Sequence, residues 1–148
     1  MTAPEILALT LRAEAGGRPV RAIEALAALV VNRARQAAAD AADLARFAPG
    51  GAPGEAWTAL LARACRAPFL FGCWRPGHPR RAALLEAARA EDGALAICRR
   101  VAARAVAGVL PDPTEGATHW HDAAVLPGWA VGRVPSAEIG GLVFYRLA

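Results

Sequence analysis

The chain has 148 residues, enough for one domain with a real core and too few for two comfortable ones. It is 55% hydrophobic with a net charge of +4, and its positive charge is all arginine, with no lysine. The arginines are scattered with no basic run among aromatics, so nucleic acid is not favoured as a partner; no apolar run reaches spanning length, so stable membrane insertion is not expected.

The mild basic balance fits an anionic partner, such as a membrane surface or an acidic wall polymer, without choosing between them. Residues 1 to 11 lack the basic start, apolar centre and small-residue cleavage site of a signal peptide. Export by another route, a mature fragment and work inside the cell all remain open.

Thr2-Ala3-Pro4-Glu5 fits a capping box, and the first helix is predicted to run to about Ala15. It ends on Glu14, followed by Gly16-Gly17 and then Pro19, a helix stop and a helix start. Counting back from Glu14 by helical steps gives Leu11, Thr10 and Leu7, a largely apolar face. Desolvation and the negative end of the helix dipole both disfavour an ionised carboxylate there. Such an acid can serve as a general acid, or can simply reach water at the helix end.

Pro19 opens a second helix, Val20 to about Ala39, apolar on nearly every side from Ala22 to Val31 except at Glu24. A helix of that kind is usually the central buried one. Asn32 follows the apolar run. It is either an exposed residue near the helix end or a polar group that leaves the core to touch a loop or ligand.

Residues Phe47 to Gly54 read as a loop, and Pro53-Gly54-Glu55 as the start of a third helix to about Arg66. Pro68 to His78 is irregular. Pro79 opens a fourth helix toward Ala90, Gly93 interrupts it, and a fifth helix runs to about Val109. After the turn Pro111 to Gly116 the pattern changes, with short strands expected at Thr118 to His121 and Leu142 to Leu147.

Three of the four tryptophans fall in irregular segments, around Phe69 to Trp74 and Trp120 to Trp129. Flat apolar rings with polar edges suit sugar stacking, or they cover the edges of a small helical core. His119 and His121 lie two apart, on one face of a strand, a spacing open to metal ligation or to structural and sugar contacts. Cys65, Cys73 and Cys98 show no metal-type pairing, and their odd number leaves at least one free thiol in a monomer. Cys73 with His78 would make a thiol nucleophile only with a third, orienting group, which no motif places.

Several segments together resemble the SleB-type cell wall hydrolase family, the catalytic domain of spore-cortex-lytic and related peptidoglycan-cleaving enzymes. The resemblance runs from Leu9 through Glu14 to Pro19, then Ile23 to Asn32-Arg33, then Phe71-Gly72-Cys73-Trp74. It continues through Gly116-Ala117-Thr118-His119-Trp120-His121 and Pro127-Gly128-Trp129-Ala130, and closes with Ile139 to Tyr145. Two departures stand out. Arg18 occupies the place where the family often has a second glutamate, and Gly72 stands where it usually has serine.

The resemblance implies an α+β, mainly α fold over residues 1-148, a lysozyme-like helical domain with a small C-terminal antiparallel β element. It implies peptidoglycan as substrate, cut at the β-1,4 bond between N-acetylmuramic acid and N-acetylglucosamine. Glu14 would be the single catalytic acid, with Glu138 the other acid in an aligned segment. Substrate contacts would come from Asn32, Phe71, Trp74, His119, Trp120, His121, Trp129 and Tyr145. No metal or cofactor is implied. Three other readings compete: a muramidase that uses water, a catalytically silent wall-binding module with phage or cell-envelope assembly proteins as partners, and a metal-dependent amidase built on His119 and His121.

Overall fold

The computed structural model describes residues 1–67 and 69–147. Among them lie six α-helices: α1 (Ala3–Ala15), α2 (Val20–Ala39), α3 (Ala41–Phe47), α4 (Trp57–Arg66), α5 (Arg81–Ala90) and α6 (Gly93–Val106). Three short strands follow, β1 (His119–Asp122), β2 (Ala137–Ile139) and β3 (Leu142–Tyr145), in the antiparallel order β1-β3-β2. The fold is mainly α, of the α+β class, as expected.

The first two helices match their expected bounds. Thr2 caps α1 by accepting from the Glu5 amide at 3.4 Å. The sequence pointed to α2 as the central helix, but α1 shares that place. Ile6 to Ala15 is buried throughout except at Arg12, and α1 packs on α2, α4, α5 and α6. Arg12 leaves the core to pair with Asp92 at 2.7 Å. Asp92 is itself the N-cap of α6, accepting from Leu95 at 2.8 Å. The Arg12 guanidinium holds its carboxyl down at about 2, with help from that amide.

Three expectations need correction. Ala41–Phe47 forms a helix, α3, which was not expected and which Asp40 caps by accepting from the Asp43 amide at 3.0 Å. The third predicted helix starts late, at Trp57, because Gly54 sits at φ +77 and Glu55 turns back to accept from Ala52. β2 was not expected; it joins β3 through Gly140-Gly141. Both glycines have positive φ, and a Cβ on Gly140 would lie 2.7 Å from that of Ala22. That close approach seats the hairpin on α2.

Strand register divides the sheet into two faces. Trp120 pairs with Phe144, and Leu142 with Asp122, on the side that meets the helical core. His119 pairs with Tyr145, and His121 with Val143, on the outer side, where Ala130 and Leu147 pack. Side chains alternate along a strand, so Trp120 must face away from its two histidine neighbours.

Candidate functional site

Glu14 is the one buried carboxylate among the described residues, 6% exposed. The last turn of α1 carries it to the edge of the core, beside the turn Gly72–Trp74. The Cys73 amide donates to its Oε1 at 3.1 Å. Arg80, just before α5, brings Nε to 4.0 Å from Oε2. One helical turn back, Thr10 accepts from the Trp74 indole at 2.8 Å and donates to the Ile6 carbonyl at 2.7 Å. The spacing of Thr10 and Glu14 on α1 thus pins the 72–74 turn at two successive residues.

Trp74 is therefore half-buried, fixed by its indole nitrogen, with the Arg66 guanidinium over its ring at 5.4 Å. Phe71 is buried and meets Trp120 with ring centroids 6.1 Å apart. Glu14, Phe71, Trp74 and Trp120 consequently form one neighbourhood, on the core side of the sheet.

His119, His121, Trp129 and Tyr145 form another, on the outer side. His121 stacks on Tyr145 at 5.5 Å, and the Trp129 ring stands edge-on to both. His119 lies 5.7 Å from Trp129 and 6.4 Å from Phe47. His121 has both ring nitrogens engaged, Nδ1 with the Asp122 carbonyl at 2.8 Å and Nε2 with the Tyr145 hydroxyl at 2.9 Å. His119 Nδ1 meets the Thr118 hydroxyl at 2.9 Å. The pair is held as hydrogen-bonded ring structure, and no group of three or more metal-ligating side chains converges among the described residues. Glu138 sits on this outer face too, exposed and opposite Val143.

Asn32 leaves the core to hold a loop. Its Nδ2 donates to Asp112 Oδ2 and to the Ala117 carbonyl, both at 3.0 Å. Arg33, beside it, donates from Nε to the Thr118 carbonyl at 2.6 Å. Together they fasten the segment that enters β1. Burial pushes the Asp112 carboxyl up, but hydrogen bonds from Thr114, Asn32 and the Gly116 amide outweigh it and hold it below its ordinary value. In Asn32→Ala the carboxylate keeps its other donors and the Ala117 carbonyl loses one. A stability loss of about 1–2 kcal/mol in urea denaturation is expected.

Arg18 and Gly72, the two departures from the resemblance, each sit in close contact with a neighbouring segment. Arg18 pairs with Asp122 and donates to the Gly140 carbonyl at 3.2 Å, tying the α1–α2 turn to the sheet. Gly72 lies under the His78 ring, which a Cβ would overlap. That ring is fixed, since its Nδ1 accepts from the Arg80 amide at 3.1 Å. Gly72→Ser should therefore displace His78 and cost about 1–2 kcal/mol of stability. Adding His78→Ala to the same chain should recover most of that loss in the same denaturation experiment.

The thiol reading fails on burial. All three cysteines are buried, and burial raises Cys65 to about 12 and Cys98 to about 11. Burial and then the Glu14 carboxylate raise Cys73 as well, so the thiolate needed for attack is disfavoured. The sequence reading missed Arg80, which no motif marks. It also missed Arg46, Phe47 and Arg133, which line a cleft with His119 and Trp129.

A family model described as Cell Wall Hydrolase matches residues 17–145, most of the chain. The matched span includes Asn32, Phe71, Trp74 and the outer-face rings, and it begins three residues after Glu14. No curated protein and no solved structure shows significant similarity to the chain. Among the described residues, no helix is long and apolar enough to cross a membrane.

Proposed function

The chain belongs to the cell wall hydrolase family, and from that premise we propose that it cuts peptidoglycan glycan strands with Glu14 as the single acid–base. The bond is the β-1,4 link from N-acetylmuramic acid to N-acetylglucosamine, and a lysozyme-like reading of the fold goes with this proposal. The observation that carries it is the placement of Glu14, a buried carboxyl with one oxygen on a backbone amide and the other near a guanidinium.

In the proposed reaction Glu14 gives its proton to the glycosidic oxygen as the bond to C1 breaks. The Cys73 amide and Arg80 stabilise the carboxylate that remains. That carboxylate takes the proton of the muramyl C6 hydroxyl, whose oxygen closes on C1. The product is a 1,6-anhydro sugar, and the acid is restored. No second carboxylate is needed, unlike the usual glycosidase pair, and Arg18 stands where the family often has one. Trp74 and Trp120 would supply apolar surface beside Glu14, with the fully buried Phe71 behind them, and His119, His121 and Trp129 a more distant contact, with Tyr145 buried beneath those rings.

The test is digestion of purified sacculi by the protein. Turbidity should fall and soluble muropeptides appear. Co-sedimentation with sacculi and no soluble fragment would instead mark a silent wall-binding module.

A further inference from the structure

Among the described residues, eight of the 17 arginines have a carboxylate within 4.0 Å, and Arg12, Arg63, Arg89, Arg99 and Arg104 have one at 2.7 to 3.4 Å. One cleft gathers three arginines that lack so close a partner. About 580 Å³ in volume, it is lined by Arg33, Arg46 and Arg133 together with Phe47, His119 and Trp129. Among the described residues, neither Arg33 nor Arg133 has a carboxylate within 4.0 Å, and Arg46 reaches only Asp43, at 3.9 Å.

The guanidinia are nevertheless held in place. Arg33, 7% exposed, spends its Nε on the Thr118 carbonyl at 2.6 Å. Arg133 spends its Nε on the Trp129 carbonyl at 2.8 Å. The Nη1 and Nη2 edge of each has no protein acceptor among the described residues. Arg33 and Arg46 also lie over the Phe47 ring, at 4.8 and 4.6 Å. Like charges brought together and oriented cost stability unless an anion joins them. The field is felt locally: burial, then Arg33, Arg46 and Arg133, push His119 down to about 4, so it adds no fourth charge at neutral pH.

We propose that this cleft binds a carboxylate of the peptide stem that peptidoglycan carries on its muramic acid. This rests on peptidoglycan being the substrate. A guanidinium edge matches a planar carboxylate bidentately, and the exposed Phe69 and Trp129 rings suit the short aliphatic chains that bear such carboxylates. His119 and Trp129 bring the outer side of the sheet to this cleft, and Phe69 brings the segment that leads to Trp74 and the Glu14 side. The glycan strand and its peptide substituent would therefore be read by adjoining surfaces.

Calorimetry with the intact protein tests this, using a soluble disaccharide-peptide, the same compound with its carboxylates amidated, and the peptide-free disaccharide. The acidic compound should bind at least about tenfold tighter than the amidated one. Arg46→Gln with Arg133→Gln should remove about that factor and leave the amidated compound unaffected. Arg100→Gln, which removes one charge on the exposed side of α6, should match the parent. Equal affinity for the acidic and amidated compounds, no binding of either, an equal loss in Arg100→Gln, or inorganic phosphate binding as tightly would each overturn the proposal. Sacculus clearance is scored separately. Clearance without carboxylate preference removes only this site, and carboxylate-specific binding without clearance removes only the glycan-cleaving reading.

Discussion

Glu14→Gln is expected to lower release of muropeptides from sacculi by about 10²–10⁴-fold, the usual worth of general acid–base help, with the protein still folded. Glutamine keeps the carbonyl oxygen that accepts from Cys73, so the 72–74 turn stays attached to α1. What it loses is the transferable proton and the charge near Arg80. Stability should therefore change by less than about 1 kcal/mol, and circular dichroism with a melting curve checks that the variant is native. Near-parent turnover in a folded Glu14→Gln protein would move the search to Glu138.

The second large effect is on stability against acid. His119 is pushed down from an ordinary 6.5 to about 4, by burial first and then by Arg33, Arg46 and Arg133. The unfolded chain therefore takes up this proton before the folded one does. Stability is full above the ordinary value and falls as pH drops through the interval between 6.5 and about 4. Between pH 7 and 5 the loss should be about 1–2 kcal/mol, allowing for the partly exposed ring. Asp92, held at about 2, loses its contribution only below its ordinary 3.8, outside that range. Urea midpoints at pH 7 and pH 5 measure the slope, and His119→Gln should flatten it. A parent midpoint that does not move would mean that His119 ionises freely in the folded protein.

Legibility in the sequence followed locality. The Thr2 cap, the Gly16-Gly17 stop and Pro19 delimited α1 and α2 because each signal acts within a few residues. Asn32 was recognisable as a polar group at the end of an apolar run, and the loop it holds is in place. The shared face of His119 and His121 followed from strand periodicity. Trp120, between them, lies on the opposite face, and this divides the aromatic residues between two surfaces. α3 and β2 are too short to show a period, although Asp40 and Asp43 carried a cap signal. The approach of Arg80 to Glu14, and the gathering of Arg33, Arg46 and Arg133, join segments far apart in a chain where arginine is scattered everywhere. No local pattern encodes such meetings; packing makes them.

The chemistry at Glu14 is tested most directly by the mass of the released products. Purified sacculi digested by the parent protein should give muropeptides ending in 1,6-anhydro-muramic acid, each lighter by one water than its hydrolytic counterpart, and the folded Glu14→Gln variant should give almost none. Products that carry a free reducing end would contradict the single-acid route and show that water, not the C6 hydroxyl, attacks C1.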